Sequence, residues 1–453
     1  MYTSAEIEIE FTGFTLKAEH LLTIEITQQF NDHARLKFTR LVKEENFSQY
    51  QEILKSLPAL KVNCRGEKSG SQCIFQGLLT HIELNYDRVE HHYLIAVEGI
   101  SYTYALDAST RDRSFPDAFM QYRDLIGSII DSGNFLYNED PQTTGHFLLQ
   151  YKETDWGFFK RLASHFNSGL IADATADKPR FSFGVPRVNS KQHALNFLEM
   201  DKGIEDYRKA QASKNSKIRE ADFTEYYWKT GEIFQVGEEL EDSEHKQNLR
   251  VKAVEGKLDG SHLQFTYTLA RENGLTQNFM LNPAIAGVSL EGTVTGTEKD
   301  RVKASLALDG PKTSKVCQFP LGTFYGAASN TGWYCMPETG DTVAVYFPSL
   351  REEEAIVLTS YRKKEKGSDR TQDPGHKYLR TKNLKEVHFA PEAINLTVNE
   401  NKNKEVYVYL NQTDGVTVNG NKKVTLQGVK DISLESKTSL YLSAKQSVTF
   451  KAK

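Results

Sequence analysis

Apolar and polar residues alternate from Glu6 to Ile26 (Ile7, Ile9 and Phe11, then Leu22, Ile24 and Ile26), which is the period of half-buried strands. The same signal predicts strands over Leu60–Cys64, Cys73–Leu84 and His92–Glu98, and further strands with charged connectors across 181–268. Helical spacing occurs in three places. Tyr50, Ile53, Leu54 and Leu57 predict a short helix over Phe47–Leu57, stopped by Pro58. A second is predicted over Met120–Ile130 with Gly133 just past its end, and a third over Asp155–Phe166 with Thr154 as its N-cap. Leu125, Ile129 and Ile130 in one, and Trp156, Phe159, Leu162, Ala163 and Phe166 in the other, make a single packing stripe each. Ile204 to Asp222 is too polar to be core. Closely spaced glycines from Gly287 to Gly340 punctuate a new β segment over 283–362, as suits a small barrel with many turns. Residues 363–380, with Gly367, Pro374 and Gly375, read as a linker.

The segment 381–453 carries an internal repeat with a period of eight. Its pairs are Val408/Leu410, Val416/Val418, Val424/Leu426, Ile432/Leu434, Leu440/Leu442 and Val448/Phe450, with turn residues such as Asp414, Gly415, Asn419, Gly420 and Gly428 between them. With 39% of the chain hydrophobic, twelve apolar positions in a fixed register arise by chance roughly once in 10⁵. Two aliphatics per octad cannot enclose a core within one chain, because the inner face would stay open to water. The predicted solution is an intertwined trimeric β-helix, a β-prism in which three chains stack these twelve side chains on one dry axis. An ordinary antiparallel meander is the competing arrangement.

Composition narrows the function classes. Lys and Arg total 56 and Asp and Glu total 60 in 453 residues, a net charge of -4 that offers no general attraction to nucleic acid or anionic lipid. No apolar run approaches a membrane span, and Glu6, Glu8 and Glu10 stand where a secretory signal would be basic and then apolar, so synthesis without a signal peptide is expected. Four cysteines do not make a disulfide scaffold. Cys64 and Cys73 would face each other only if the intervening run were a symmetric hairpin, and free thiols are the expectation.

Three blocks together resemble the VgrG and phage tail-spike family of contractile injection machines, including the late control protein D group. The first is Phe75, Gln76, Gly77, Leu78, Leu79 and Thr80, with Tyr93 to Val97, Leu106, Asp107 and Arg113 to Phe115. The second runs from Tyr151 through Glu153, Thr154, Asp155, Trp156, Phe159 and Arg161 to Ala163, and the third from Met336 through Pro337, Glu338, Gly340 and Asp341 to Phe347, then Ala355 to Tyr361. The resemblance implies a mainly β homotrimer. Residues 1–280 would form the tail hub from two barrels and a few helices, 283–362 an OB-type neck and 381–453 the spike. It implies partners as well: an inner tube, baseplate proteins, a separate PAAR-like tip protein, effectors and transient contact with a target membrane, inside an assembled particle. The chain departs from the pattern at Ser164 to Gly169 and at Ser349 to Glu354, where loops of different shape are expected.

Enzyme motifs fall short. There is no HExxH and no GxSxG, and Gly415 and Gly420 have phosphate-loop spacing but Asn421 stands where Lys is needed. His91 and His92, adjacent on a strand, point to opposite faces. No catalytic residue, metal or cofactor is therefore expected. The linker leaves no room for a catalytic domain before the octads, and none is expected after them. Other classes remain: a trimeric receptor-binding fibre, or a cell-wall or polysaccharide-degrading enzyme on a β-solenoid. At the end of the octads Phe450 would lie bare beneath Lys451 and Lys453, whose ammonium groups cannot ligate metal at neutral pH, which points to a tip protein capping that layer.

Overall fold

The computed structural model describes residues 2–12, 14–16, 20–43, 55, 58–66, 70–87, 92–187, 191–212, 218–311, 313–326, 331–363, 372–398 and 406–450. The chain divides into two compact units, 1–362 and 363–453. It is mainly β, with three α-helices among the described residues: α1 (Tyr122–Gly127), α2 (Asp155–Ser164) and α3 (Ile204–Ala212). The helix expected over Phe47–Leu57 lies outside the described residues.

In the first unit the alternating segments do become strands, and most join one 14-stranded sheet. Its central strands include Leu21–Gln29, Arg35–Lys43, His92–Ser101 and Gly70–Asp87. The seam between its two halves is an antiparallel ladder in which Gly256 faces Ile26 and Lys257 faces Glu25. The strands of the two halves are joined into one hydrogen-bonded sheet through the pairing of Leu21–Gln29 with Gln247–Asp259. Alternate side chains such as Ile24, Ile26, Phe38, Val97, Val251 and Tyr267 are buried in one common core.

Helix α1 is shorter than predicted. Ser128 turns its hydroxyl back onto the Leu125 carbonyl at 2.6 Å, offering the backbone an alternative partner that ends the helix before Ile129. Helix α2 follows its predicted start: Thr154 accepts from the Gly157 N–H at 3.0 Å. It buries more than one stripe, since Phe158 is as fully enclosed as Phe159, Leu162 and Ala163. Helix α3 was not predicted. Its turn sequence is polar, only Ala210 is buried, and a Glu205–Lys209 pair at 2.6 Å lies on its exposed side.

Residues 289–361 form a five-stranded sheet in the order Cys317–Pro320, Arg301–Leu306, Ser289–Glu298, Thr342–Tyr346, Ile356–Tyr361. A parallel bridge from Leu321 to Val357 ties its two ends, and Val294, Val302, Val343, Val345 and Phe347 fill the interior.

The second unit holds a five-stranded antiparallel meander over Lys377–Arg380, Lys385–Ala390, Ala393–Val398, Val406–Asn411 and Gly415–Asn419. Its first strand lies inside the segment assigned to the linker. The octads Val408/Leu410 and Val416/Val418, expected to pair with other chains, pair with each other: Val408 faces Val418 and Leu410 faces Val416. The cause is local. Asn411 Oδ1 accepts from the N–H groups of Thr413 and Asp414 at 2.8 and 2.9 Å, and Gly415 takes φ 84°, so the chain folds straight back. Among the described residues, 420–450 takes no strand partner from its own chain.

Candidate functional site

The register of the meander sorts its side chains cleanly. Leu379 faces Val387; Phe389 faces Ile394; Val387 faces Leu396; Leu396 faces Val408 and Val398 faces Val406; Ile394 faces Leu410, which faces Val416. Because partners across a ladder share a face, these residues and Val418 line one side of the sheet. Tyr378, His388, Asn395, Tyr409 and Thr417 line the other. The aliphatic side is open: Leu379, Phe389, Ile394, Leu396, Val398, Val406 and Leu410 are all exposed. Exposure rises further along the octads. Val416, Val418, Val424, Ile432, Leu434, Leu440, Leu442 and Val448 are half or more exposed, Leu426 is 70% exposed and Phe450 82%, whereas Val408 is half-buried. Lys451 and Lys453 lie outside the described residues. The sequence reading placed the start of this surface at Val408. The strict alternation Ile394, Leu396, Val398 is the signal that extends it upstream to Leu379.

The residues of the three blocks have structural work. A Cβ on Gly77 would stand 2.1 Å from the Ile100 carbonyl oxygen, so only glycine lets the two strands approach there. At the third block the Glu338 N–H donates to Asp341 Oδ2 at 2.8 Å, and Gly340 takes φ 97° to make the turn. In the second block Asp155 accepts from Arg113 at 2.8 Å and from Gln150 at 2.9 Å. Trp156 packs on His33, ring centroids 4.6 Å apart. Arg161 is almost fully buried. It donates to Glu153 Oε1 and Oε2 at 2.8 Å each, to the Leu149 carbonyl at 2.8 Å, and pairs with Glu352 Oε1 at 3.1 Å. Glu352 also accepts from the Leu149 N–H at 3.0 Å. It belongs to the departing loop Ser349 to Glu354, and its partners lie some 200 residues earlier (|i−j| = 203 for Leu149), so spacing could not have found it. A second polar contact joins the same parts: Asp309 accepts from the Ser114 N–H and hydroxyl, and from Lys315.

One arrangement mimics catalytic machinery. His33 Nδ1 lies 2.8 Å from Thr103 Oγ1, and its Nε2 lies 3.5 Å from Asp107. Thr103 is fully buried and bonded to Ser101, so its hydroxyl cannot meet a substrate, and burial holds His33 below its usual pKa, hence neutral. Among the described residues no group of three or more His, Cys, Asp or Glu is placed to hold a metal ion, and no helix is long and apolar enough to cross a membrane.

Two smaller predictions arise here. Cys64 faces Gln72 and Cys73 faces Asn63, a one-residue offset that sends the two sulfurs to opposite faces, and all four cysteines are free. Cys335 is exposed, while burial pushes Cys64 and Cys317 up to about 12. A thiol reagent is expected to label Cys335 at once, Cys73 slowly, and Cys64 and Cys317 only on unfolding; rapid labelling of Cys64 in the native protein would contradict the register. The second prediction concerns His165, whose Nδ1 lies 2.7 Å from the Tyr122 hydroxyl. Burial, with Arg161 nearby, lowers it to about 3. The unfolded chain therefore takes up this proton first, and stability is lost as pH falls from about 6.5, by about 3 kcal/mol at pH 4. Measured against wild type by denaturant unfolding at each pH, His165→Gln should gain by that amount between pH 6.5 and 4; parallel curves would refute the assignment.

The first unit thus holds a wide sheet with a five-stranded sheet docked on α2, and the second a β meander followed by octads. No protein-family model matches the sequence, and no curated protein matches it. Solved structures do. The E. coli c3393 protein, a component of the type VI secretion system with structural similarity to T4 bacteriophage tail proteins gp27 and gp5, superposes with a TM-score of 0.53 at 13% identity over 78% of this chain and 99% of its own. Chains of the Francisella PdpA-VgrG complex match over 91% of this chain: the half-lidded form at TM-score 0.57 and 11% identity over 88% of its own length, and the lidless form at 0.55 and 11% over 97%. The likeness is one of fold.

Proposed function

We propose that this chain is one subunit of a homotrimeric structural hub and spike of a contractile injection machine, coupling an inner tube to a piercing needle, without catalysis of its own. In this reading the 289–361 sheet, with its strand order and end-to-end bridge, is an OB-type neck. The observation that carries the proposal is the bare aliphatic face, continuous from Leu379 to Val418 and followed by exposed octads to Phe450. A soluble monomer does not leave so long an apolar stripe in water, and copies of the same stripe around an axis would bury one another. The trimer core would then be Val408, Leu410, Val416, Val418, Val424, Leu426, Ile432, Leu434, Leu440, Leu442, Val448 and Phe450, extended upstream by Leu379, Val387, Phe389, Ile394, Leu396, Val398 and Val406. The first two octads would enter it as an intrachain hairpin, and intertwining would begin beyond Asn419. Its partners would be the inner-tube protein, baseplate proteins, effectors and a tip protein meeting Phe450, Lys451 and Lys453. Light scattering of the purified chain is the test: three protomers per particle supports the reading, and a stable monomer at micromolar concentration removes it. A zymogram on peptidoglycan addresses the enzyme alternative, and whole-cell binding by the isolated trimer would favour the receptor-binding fibre.

A further inference from the structure

Where the 289–361 sheet docks on α2, one buried cation faces two carboxylates, one buried and one partly so. Arg161 is 3% exposed and Glu352 6% at their side chains, and Glu153 is 16%. Arg161 is the one cation bonded to either acid among the described residues. The other groups facing the cluster bring no positive charge: burial pushes the Tyr122 phenol up to about 12, so it stays protonated, and keeps His165 neutral. On the Glu352 segment itself, Arg351 pairs outward with Glu353 at 3.3 Å. With both acids ionised the cluster would hold a net negative charge in a site of low dielectric, which is expensive to maintain.

We propose that this junction is a proton-linked clamp: Arg161 neutralises Glu153, a proton resides on Glu352 while the sheet is docked, and loss of that proton loosens the docking. The geometry allows it, since a protonated carboxyl keeps one oxygen for the Leu149 N–H and Arg161 and offers a hydroxyl on the other. Burial, opposed by Arg161, pushes Glu352 up to about 7, while its two acids raise Arg161 against the effect of its own burial. The sign follows. A carboxyl raised on docking supports the docked form fully below its ordinary value near 4.5, and that support is lost as pH rises through about 7, with undocking growing by at most about tenfold per pH unit in the window.

The test is an infrared titration of the whole protein from pH 5 to 8. A protonated-acid carbonyl band is expected at pH 6, absent in Glu352→Gln and fading towards pH 8. Glu153→Gln should move its midpoint to lower pH, because Arg161 then serves Glu352 alone. Hydrogen exchange at the Leu149 amide, corrected for the intrinsic pH dependence of exchange, should speed up with pH in wild type and stay level in Glu352→Gln. If Glu352→Gln does not fold, the wild-type titration and Glu153→Gln still decide. No acid band at pH 6, or one that neither variant alters, overturns the clamp.

Discussion

Leu434→Asp or Leu442→Asp is expected to leave the protein as separate, folded subunits that no longer assemble. If three copies share one dry axis, a single substitution places three carboxylates within that axis, where each would have to give up its hydration or its charge. The cost is several kcal/mol per group even after relaxation, and it enters three times. Both side chains are more than half exposed in the isolated chain, so the fold of the subunit should not suffer. Light scattering should give one protomer per particle, with thermal unfolding of residues 1–362 unchanged. Leu396→Asp tests the upstream extension of the same face and should weaken assembly too. A Leu434→Asp protein that stays a stable trimer would count heavily against the prism.

Arg161→Leu should be strongly destabilising to the first unit. It removes the guanidinium that holds Glu153, Glu352 and the Leu149 carbonyl together, leaving the part-buried Glu153 without its cation and the buried Glu352 with the Leu149 N–H alone. Breaking a buried pair from one side costs about 3–5 kcal/mol, and a proton on Glu352 reduces that cost. Denaturant unfolding should show the loss, and adding Glu352→Leu should restore part of it, because two apolar side chains of similar volume suit the site better than one unpaired acid. An Arg161→Leu protein within about 0.5 kcal/mol of wild type would mean that the junction is held by its apolar contacts, Leu149, Val343 and Phe347 among them.

How much of this was legible depends on the range of each interaction. The octads and α2 were visible because their signals are local: a repeat of eight, a Thr cap three residues before the N–H it accepts from. The strands of the hub were visible by alternation, yet their assembly into one sheet was not, since Gly256 meets Ile26 across more than 200 residues and no pattern within either strand names its neighbour. The same holds for Glu352, which composition presents as one of three consecutive surface acids and only the fold turns inward onto Arg161. Helix α3 escaped because its apolar face is nearly absent. The hairpin of the first two octads could have been read from Asn411, Asp414 and Gly415, whose turn chemistry favours folding back within the chain.

The long seam of the 14-stranded sheet also sets an order of events during synthesis. Tyr2 and Thr3 pair with Leu263 and His262, so the first strand waits on the ribosome until some 260 residues have followed it, and a sheet wired this way is slow to nucleate. The octads emerge after those strands, which means that the stickiest stretch of the polypeptide reaches water when the sheet's pairing partners are already available. If the octads do join copies of the chain, that joining is thereby deferred, and nascent chains on neighbouring ribosomes are spared from associating through them while their sheets are still open.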